Sequence, residues 1–198
     1  DEELKLARRE LNFIQEHDIK FLHIKDEKYP QRLRNSFDAP VILFYKGNIP
    51  FEKKCLSIVG TRDATSYGRA VLNDWMPTLK AYDPLIVSGL AYGIDIAAHR
   101  AALENGLATA AVLAHGLDRI YPAAHKGTAK EMLRNGGLIT DYMSGTNPDR
   151  ENFPQRNRIV AGLCEGLLVV ETAKKGGSMI SCELAISKNR EVFAVPNA

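Results

Sequence analysis

Several features that would assign this chain to a class at once are missing from it. Its 198 residues hold three cysteines, Cys55, Cys164 and Cys182, far apart and without CxxC spacing. That pattern argues against a disulfide scaffold and fits reduced, packed thiols in a cytoplasmic protein. No apolar run approaches the roughly 20 residues a membrane helix needs, and no signal-peptide core opens the chain, so no membrane partner is expected. Charge of neither sign dominates. With 26 Lys and Arg against 24 Asp and Glu, the formal net charge is +2, too small to announce nucleic acid by bulk electrostatics; any anion site must be a local concentration of Arg and Lys. G-x-G-x-x-G and Walker A sequences are absent, which removes the dinucleotide and ATP fingerprints. Ser88 lacks a G-x-S-x-G elbow, and His115 and His125 form no HExxH or other spaced ligand set. No catalytic residue, metal or cofactor is therefore expected.

What is present is a core and a rhythm. At 45% apolar residues, the chain has enough to bury one main domain. Residues 2–17 read as a surface helix, and after the breaks at Tyr29-Pro30 and Ala39-Pro40 the run VILFY reads as a strand. We take 1–50 as an N-terminal leader, helix plus first strand, packed on a main domain at 51–198. From residue 55, short β-branched runs (CLSIV, LIVS, LATAAVLA, GLIT, LLVVE, EVFAVP) alternate with helical stretches. That is the pattern of βαβ units: an α/β fold with a mostly parallel sheet and helices on both faces. Pro77 is expected to end or bend the first of these helices. The opening DEELKLARREL, which lacks Met, and the stop at EVFAVPNA directly after a strand-like run are expected of a fragment of a longer chain.

In such sheets ligands bind beyond the carboxyl ends of the strands, so the residues following each apolar run are the candidates. They are Gly60, Thr61 and Arg62; Ser88, Gly89 and Gly93; Phe153, Arg156, Asn157 and Arg158; and Gly176, Gly177 and Ser178. Glycine turns bring backbone within reach of a ligand, and helix starts aim N–H groups at it, which is phosphate chemistry. Arg156 and Arg158 sit in the first turn of a helix, where the dipole is already positive. They call for a carboxylate, such as Glu151 or Glu171, or for an external polyanion. Guanidinium forks match phosphate oxygens. Arg62 pairs either with a neighbouring acid such as Asp63 or with the same anion. Phe153, ahead of Pro154, either staples the helix entry or offers its ring to a base, as proteins that hold single-stranded nucleic acid do. Asp95 is expected to serve the helix dipole or the glycine loop, and His99 to be packed or on the helix surface.

SIVGTR, SGLAYGIDIAAHRAAL, HGLDRIYPAAH, FPQRNRIVAG and KKGGSMISCELA, in that order, resemble the DNA-processing protein A family (DprA, also called Smf) from about residue 28 onward. The resemblance implies an extended Rossmann-like domain that binds single-stranded DNA, forms a homodimer and loads the RecA recombinase during natural transformation, with no catalytic activity. It carries a DNA pocket onto Arg62, Arg150 and Phe153, the glycine turns at Gly60, Gly89 and Gly93, and the Gly176-Gly177-Ser178 turn. DEELKLARREL then reads as the last helix of a preceding module. A rival likeness, KGGSMISCE to the loop of nucleoside-monophosphate phosphoribohydrolases, would make Glu183 a catalytic carboxylate.

Overall fold

The computed structural model describes residues 2–173 and 176–196. The leader supplies α1 (Glu2–Glu16), β1 (Lys20–His23), the single turn α2 (Gln31–Arg34) and β2 (Ile42–Asn48). The main run follows as β3 (Cys55–Val59), α3 (Ser66–Leu79), β4 (Leu85–Ser88), α4 (Ile94–Glu104), β5 (Thr109–Val112), α5 (Lys126–Met132), β6 (Gly136–Thr140), α6 (Asn152–Leu163), β7 (Gly166–Val169), α7 (Gly177–Ser187) and β8 (Glu191–Ala194). The helix α3 continues through Pro77 and stops two residues later, before a 3-10 turn at Lys80–Tyr82. A proline in the last turn removes one ladder bond and leaves little helix beyond it to distort.

One eight-stranded sheet has the order β1-β2-β6-β5-β4-β3-β7-β8. From β6 to β8 neighbouring strands are parallel. The pair β1–β2 is antiparallel and joins β6 antiparallel, with Tyr45 opposite Ile139. The leader thus contributes two strands where the sequence pattern indicated one; KFLH is too short to stand out as a run.

Alternation along the strands sends residues to two faces. Ile58, Ile86 and Leu168 pack with Val71, Leu72 and Met76 of α3 and Ile94 and Ala98 of α4. Val59, Val87, Val112, Ile139 and Val169 pack with Ile159 and Val160 of α6 and Cys182 and Ala185 of α7. Helix α5 covers Ala111, Leu113 and Leu138 through Ala129 and Met132. Tyr29, Leu33 and Leu43 of the leader belong to the same cluster as Ile159. The Tyr29 hydroxyl, buried, donates to the Pro40 carbonyl at 2.7 Å. Where β2 meets β6 the backbones run so close that side chains are shut out. A methyl on Gly47 (φ +111°) would overlap the Gly136 carbonyl, and one on Gly137 would overlap that of Lys46.

Candidate nucleic-acid interface

From β3 the chain winds outward through β4, β5 and β6, then returns to place β7 on the other side of β3. The exits of β3 and β7 therefore diverge, one into α3 and the other into α7 on the opposite face. The crevice left between them is where open α/β sheets hold ligands. A cavity of about 710 Å³ occupies it, lined by Gly60, Thr61, Arg62, Arg150, Phe153, Asn157 and Gly176 to Ser178.

The rim is pinned by backbone contacts. Thr61 N–H donates to the Glu171 carbonyl at 2.7 Å, and Ile94 N–H donates to the Thr61 carbonyl at 3.0 Å. Gly60 lies against the Ile94 side chain and the Glu171 carbonyl with no room for a methyl. At Gly93, the N-cap of α4, φ is +77° and a methyl would overlap the carbonyls of Thr61 and Arg62. Glycine is required there on both counts. The buried Glu171 carboxylate accepts from Thr65 N–H at 2.9 Å and from the Thr65 hydroxyl at 2.5 Å. Thr65 in turn caps α3 by accepting from Gly68 N–H.

Arg62 is exposed and, among the described residues, makes no ion pair. Its guanidinium lies over the Phe153 ring, 5.5 Å from the centroid. The ring of Tyr121 stands 6.0 Å from that of Phe153 at 56°. The residue sequence reasoning missed is Tyr121; its position directly after the loop that leaves β5 was the available signal. Gly176 caps α7, whose first residues face the crevice, and Ser178 Oγ lies 2.5 Å from Thr172 Oγ1. The neighbouring Lys174 and Lys175 fall outside the described residues.

The two arginines of the α6 start are resolved differently from expectation. Arg156 is 4% exposed. Its guanidinium donates to the carbonyls of Gly89, at 2.8 Å, and Val112, and its Nε to Asn157 Oδ1 at 3.1 Å. The charge that answers it is Asp95, not Glu151 or Glu171. Burial pushes the Asp95 carboxyl up and the Arg156 guanidinium down, and each opposes the shift of the other. Asp95 also accepts from Gly89 N–H at 3.1 Å and Ala91 N–H at 3.4 Å, tying down the glycine loop. Gly89 is glycine because a methyl there would overlap the Arg156 guanidinium. Arg156 thus ties the second turn of α6 to the carboxyl ends of β4 and β5 through one terminal nitrogen, while the side chain also lines the crevice.

Arg158 points out of the crevice. It pairs with Asp141 and donates to the Asp38 carbonyl, fastening α6 to the leader. Ser88 is fully buried, and its hydroxyl donates to the Ile58 carbonyl at 2.6 Å between strands. Ser88 and Arg158, read from sequence as ligand contacts, are therefore structural, and Gly89 serves Arg156.

The remaining candidates are quiet. His99 is buried with Nδ1 2.7 Å from Thr109 Oγ1, and its pKa is lowered to about 3 by burial, then by the nearby Arg156 charge. His115 and His125 pair with the carbonyls of Gly116 and Leu90. Asp118 accepts from Gly145 N–H and pairs with Arg119. Glu183 is exposed. All three cysteines are free and buried. Among the described residues no helix is long and apolar enough to cross a membrane.

These features have parallels in known proteins. Over 176 residues, 88% of this chain, it is 43% identical to the DNA processing protein DprA of Streptococcus pneumoniae, of whose length it spans 62%. The crystal structure of DprA from S. pneumoniae superposes with a TM-score of 0.86 at 40% identity, covering 92% of this chain and 64% of that one. A Helicobacter pylori DNA processing protein A structure, described for its single-stranded DNA binding mode, gives 0.82 at 28% identity, covering 91% and 81%. The sheet order, the pinned glycine rim and the motifs along it fall within residues 20–198, the span that matches the DNA recombination-mediator protein A profile, and the chain belongs to that family.

Proposed function

We propose that the crevice between the exits of β3 and β7 binds single-stranded DNA, with Arg62 and Arg150 meeting phosphates, the α7 start and the Gly60-Thr61 turn offering N–H groups, and Phe153 stacking a base. The observation that carries this reading is Arg62: an exposed guanidinium without an acid partner among the described residues, set over an aromatic ring at a helix-flanked crevice. Cations for the backbone and a ring for any base are the two components of sequence-tolerant single-strand binding. Asn157 lines the same wall. The protein acts by binding alone, breaking no bond in the DNA. It works in the cytoplasm as a homodimer, holding incoming strands and loading RecA onto them during natural transformation.

The test is anisotropy of a labelled oligothymidine across a salt series. Log K is expected to fall with log salt by about 0.7 per phosphate neutralised. Arg62→Ala should weaken binding and flatten that slope. Unchanged, salt-insensitive binding in that variant would refute the assignment. Release of adenine from AMP would overturn the claim that no chemistry is done.

A further inference from the structure

Two half-exposed tyrosines stand at consecutive strand exits beside the crevice. Tyr121 follows β5, is 47% exposed and lines the crevice next to Phe153. Tyr92 follows β4 and is 50% exposed, yet its ring is held against that of His125, centroids 4.8 Å apart at 70°. His125 is itself buried, with Nδ1 2.7 Å from the Leu90 carbonyl. The Tyr92 ring is thus held in place while presenting a surface to solvent. Lys126 directly follows His125 at the start of α5, and Arg100 on α4 donates through Nε to Thr128 Oγ1 of α5 at 3.4 Å. Both cations are exposed, and neither has an acid partner among the described residues. Of the acids on or beside these helices, Asp95 is buried near Arg156 and Asp118 is paired with Arg119, while Glu104, four residues after Arg100 on α4, and Glu131 on α5 are exposed and lie in no ion pair among the described residues.

A single exposed aromatic on a surface is ordinary. Two exposed rings at adjacent strand exits, one lining the crevice and the other packed on the residue before Lys126, suggest a path. Arg62 already covers Phe153, so stacking that begins at Phe153 extends toward Tyr121. We propose that Tyr121 and Tyr92 continue the crevice into a track over α4 and α5, where the same single strand stacks further bases and gives its phosphates to Arg100 and Lys126. This rests on the crevice being a single-stranded DNA site.

The intact chain is titrated with oligothymidines of 4 to 20 nucleotides, alongside Arg62→Ala, Tyr92→Ala, Tyr92→Phe and the double variant Arg100→Gln/Lys126→Gln, with thermal melts to show that each is folded. Tyr92→Ala should match the parent on the shortest oligomer and lose about tenfold on the longest, within the range for one stacked base. Tyr92→Phe should keep that affinity. The double variant should lower the salt slope on the 20-mer by about 1.4, two phosphates at ~0.7 each. An oligomer carrying 5-iododeoxyuridine near one end should photo-crosslink to the peptides holding Tyr121 and Tyr92. If Tyr92→Ala and the double variant bind every length as the parent does while Arg62→Ala fails at all lengths, the track is wrong and the crevice stands. If Arg62→Ala also binds normally, both are wrong.

Discussion

Replacing Arg156 with Met tests whether the α6 arginine is an internal brace. Met fills much of the same volume but leaves the carbonyls of Gly89 and Val112 without their charged donor and Asp95 without its cation. Leaving a buried acceptor without its donor costs about 1–3 kcal/mol, a sizeable part of the roughly 5–15 kcal/mol that holds a typical domain folded, and the charge attraction to Asp95 is lost besides. The deficit should depend on pH with a definite sign. Burial raises the Asp95 carboxyl above its ordinary value and Arg156 opposes that rise. Without Arg156 the folded-state value climbs further. The native variant therefore holds its proton more tightly than the unfolded chain, and stability is lost as pH rises from about 4 toward the folded value. His99 acts in the same direction, because Arg156 helps hold its pKa down and the variant should lose less stability on acidification. Urea unfolding followed by circular dichroism should show a deficit larger at pH 7 than at pH 4.5. Asp95→Asn in the Arg156→Met background should recover part of it, since an amide still accepts from Gly89 and Ala91 N–H and carries no charge. Equal deficits at both pH values, or no recovery from Asn, would refute the account.

Phe153→Ala should weaken single-strand binding by about 1–3 kcal/mol, the range for one base-stacking ring, with an unchanged salt slope, read by the same anisotropy series. Gly93→Ala should lower the melting temperature through backbone strain of about 1–3 kcal/mol at φ +77°, and it should also impair binding because Thr61 and Arg62 must shift. Tyr29→Phe should cost about 1 kcal/mol in urea titration for the lost hydrogen bond to Pro40, leaving DNA affinity intact.

The alternation of β-branched runs and helices made the parallel core legible, because each buried strand carries its own apolar signal. The antiparallel partner β1 was not, since four residues with one buried side chain, Leu22, look like loop. The anomaly of two arginines at a helix start was also visible in the chain. Its resolution was not, because Arg156 meets carbonyls 67 and 44 residues away and Arg158 meets Asp141 and the leader only after folding. A misplaced charge shows that an anion or dipole is needed without showing whether the protein itself supplies it. Conversely, Arg62 had an ordinary reading as a paired loop charge, and only the fold sets it above Phe153 with no acid partner among the described residues.

The glycine seam where Gly47 meets Gly136 and Gly137 lets β2, and with it the leader's strand pair, lie flush on β6. Cut away the first fifty residues and that flank becomes a bare ribbon of unanswered amides and carbonyls, with two side-chain-free positions that offer nothing to fend off another chain. The β1–β2 pair therefore moves the edge of the sheet from glycine-bare β6 to β1, a four-residue strand opening on the exposed Lys20, which offers less to edge-to-edge pairing.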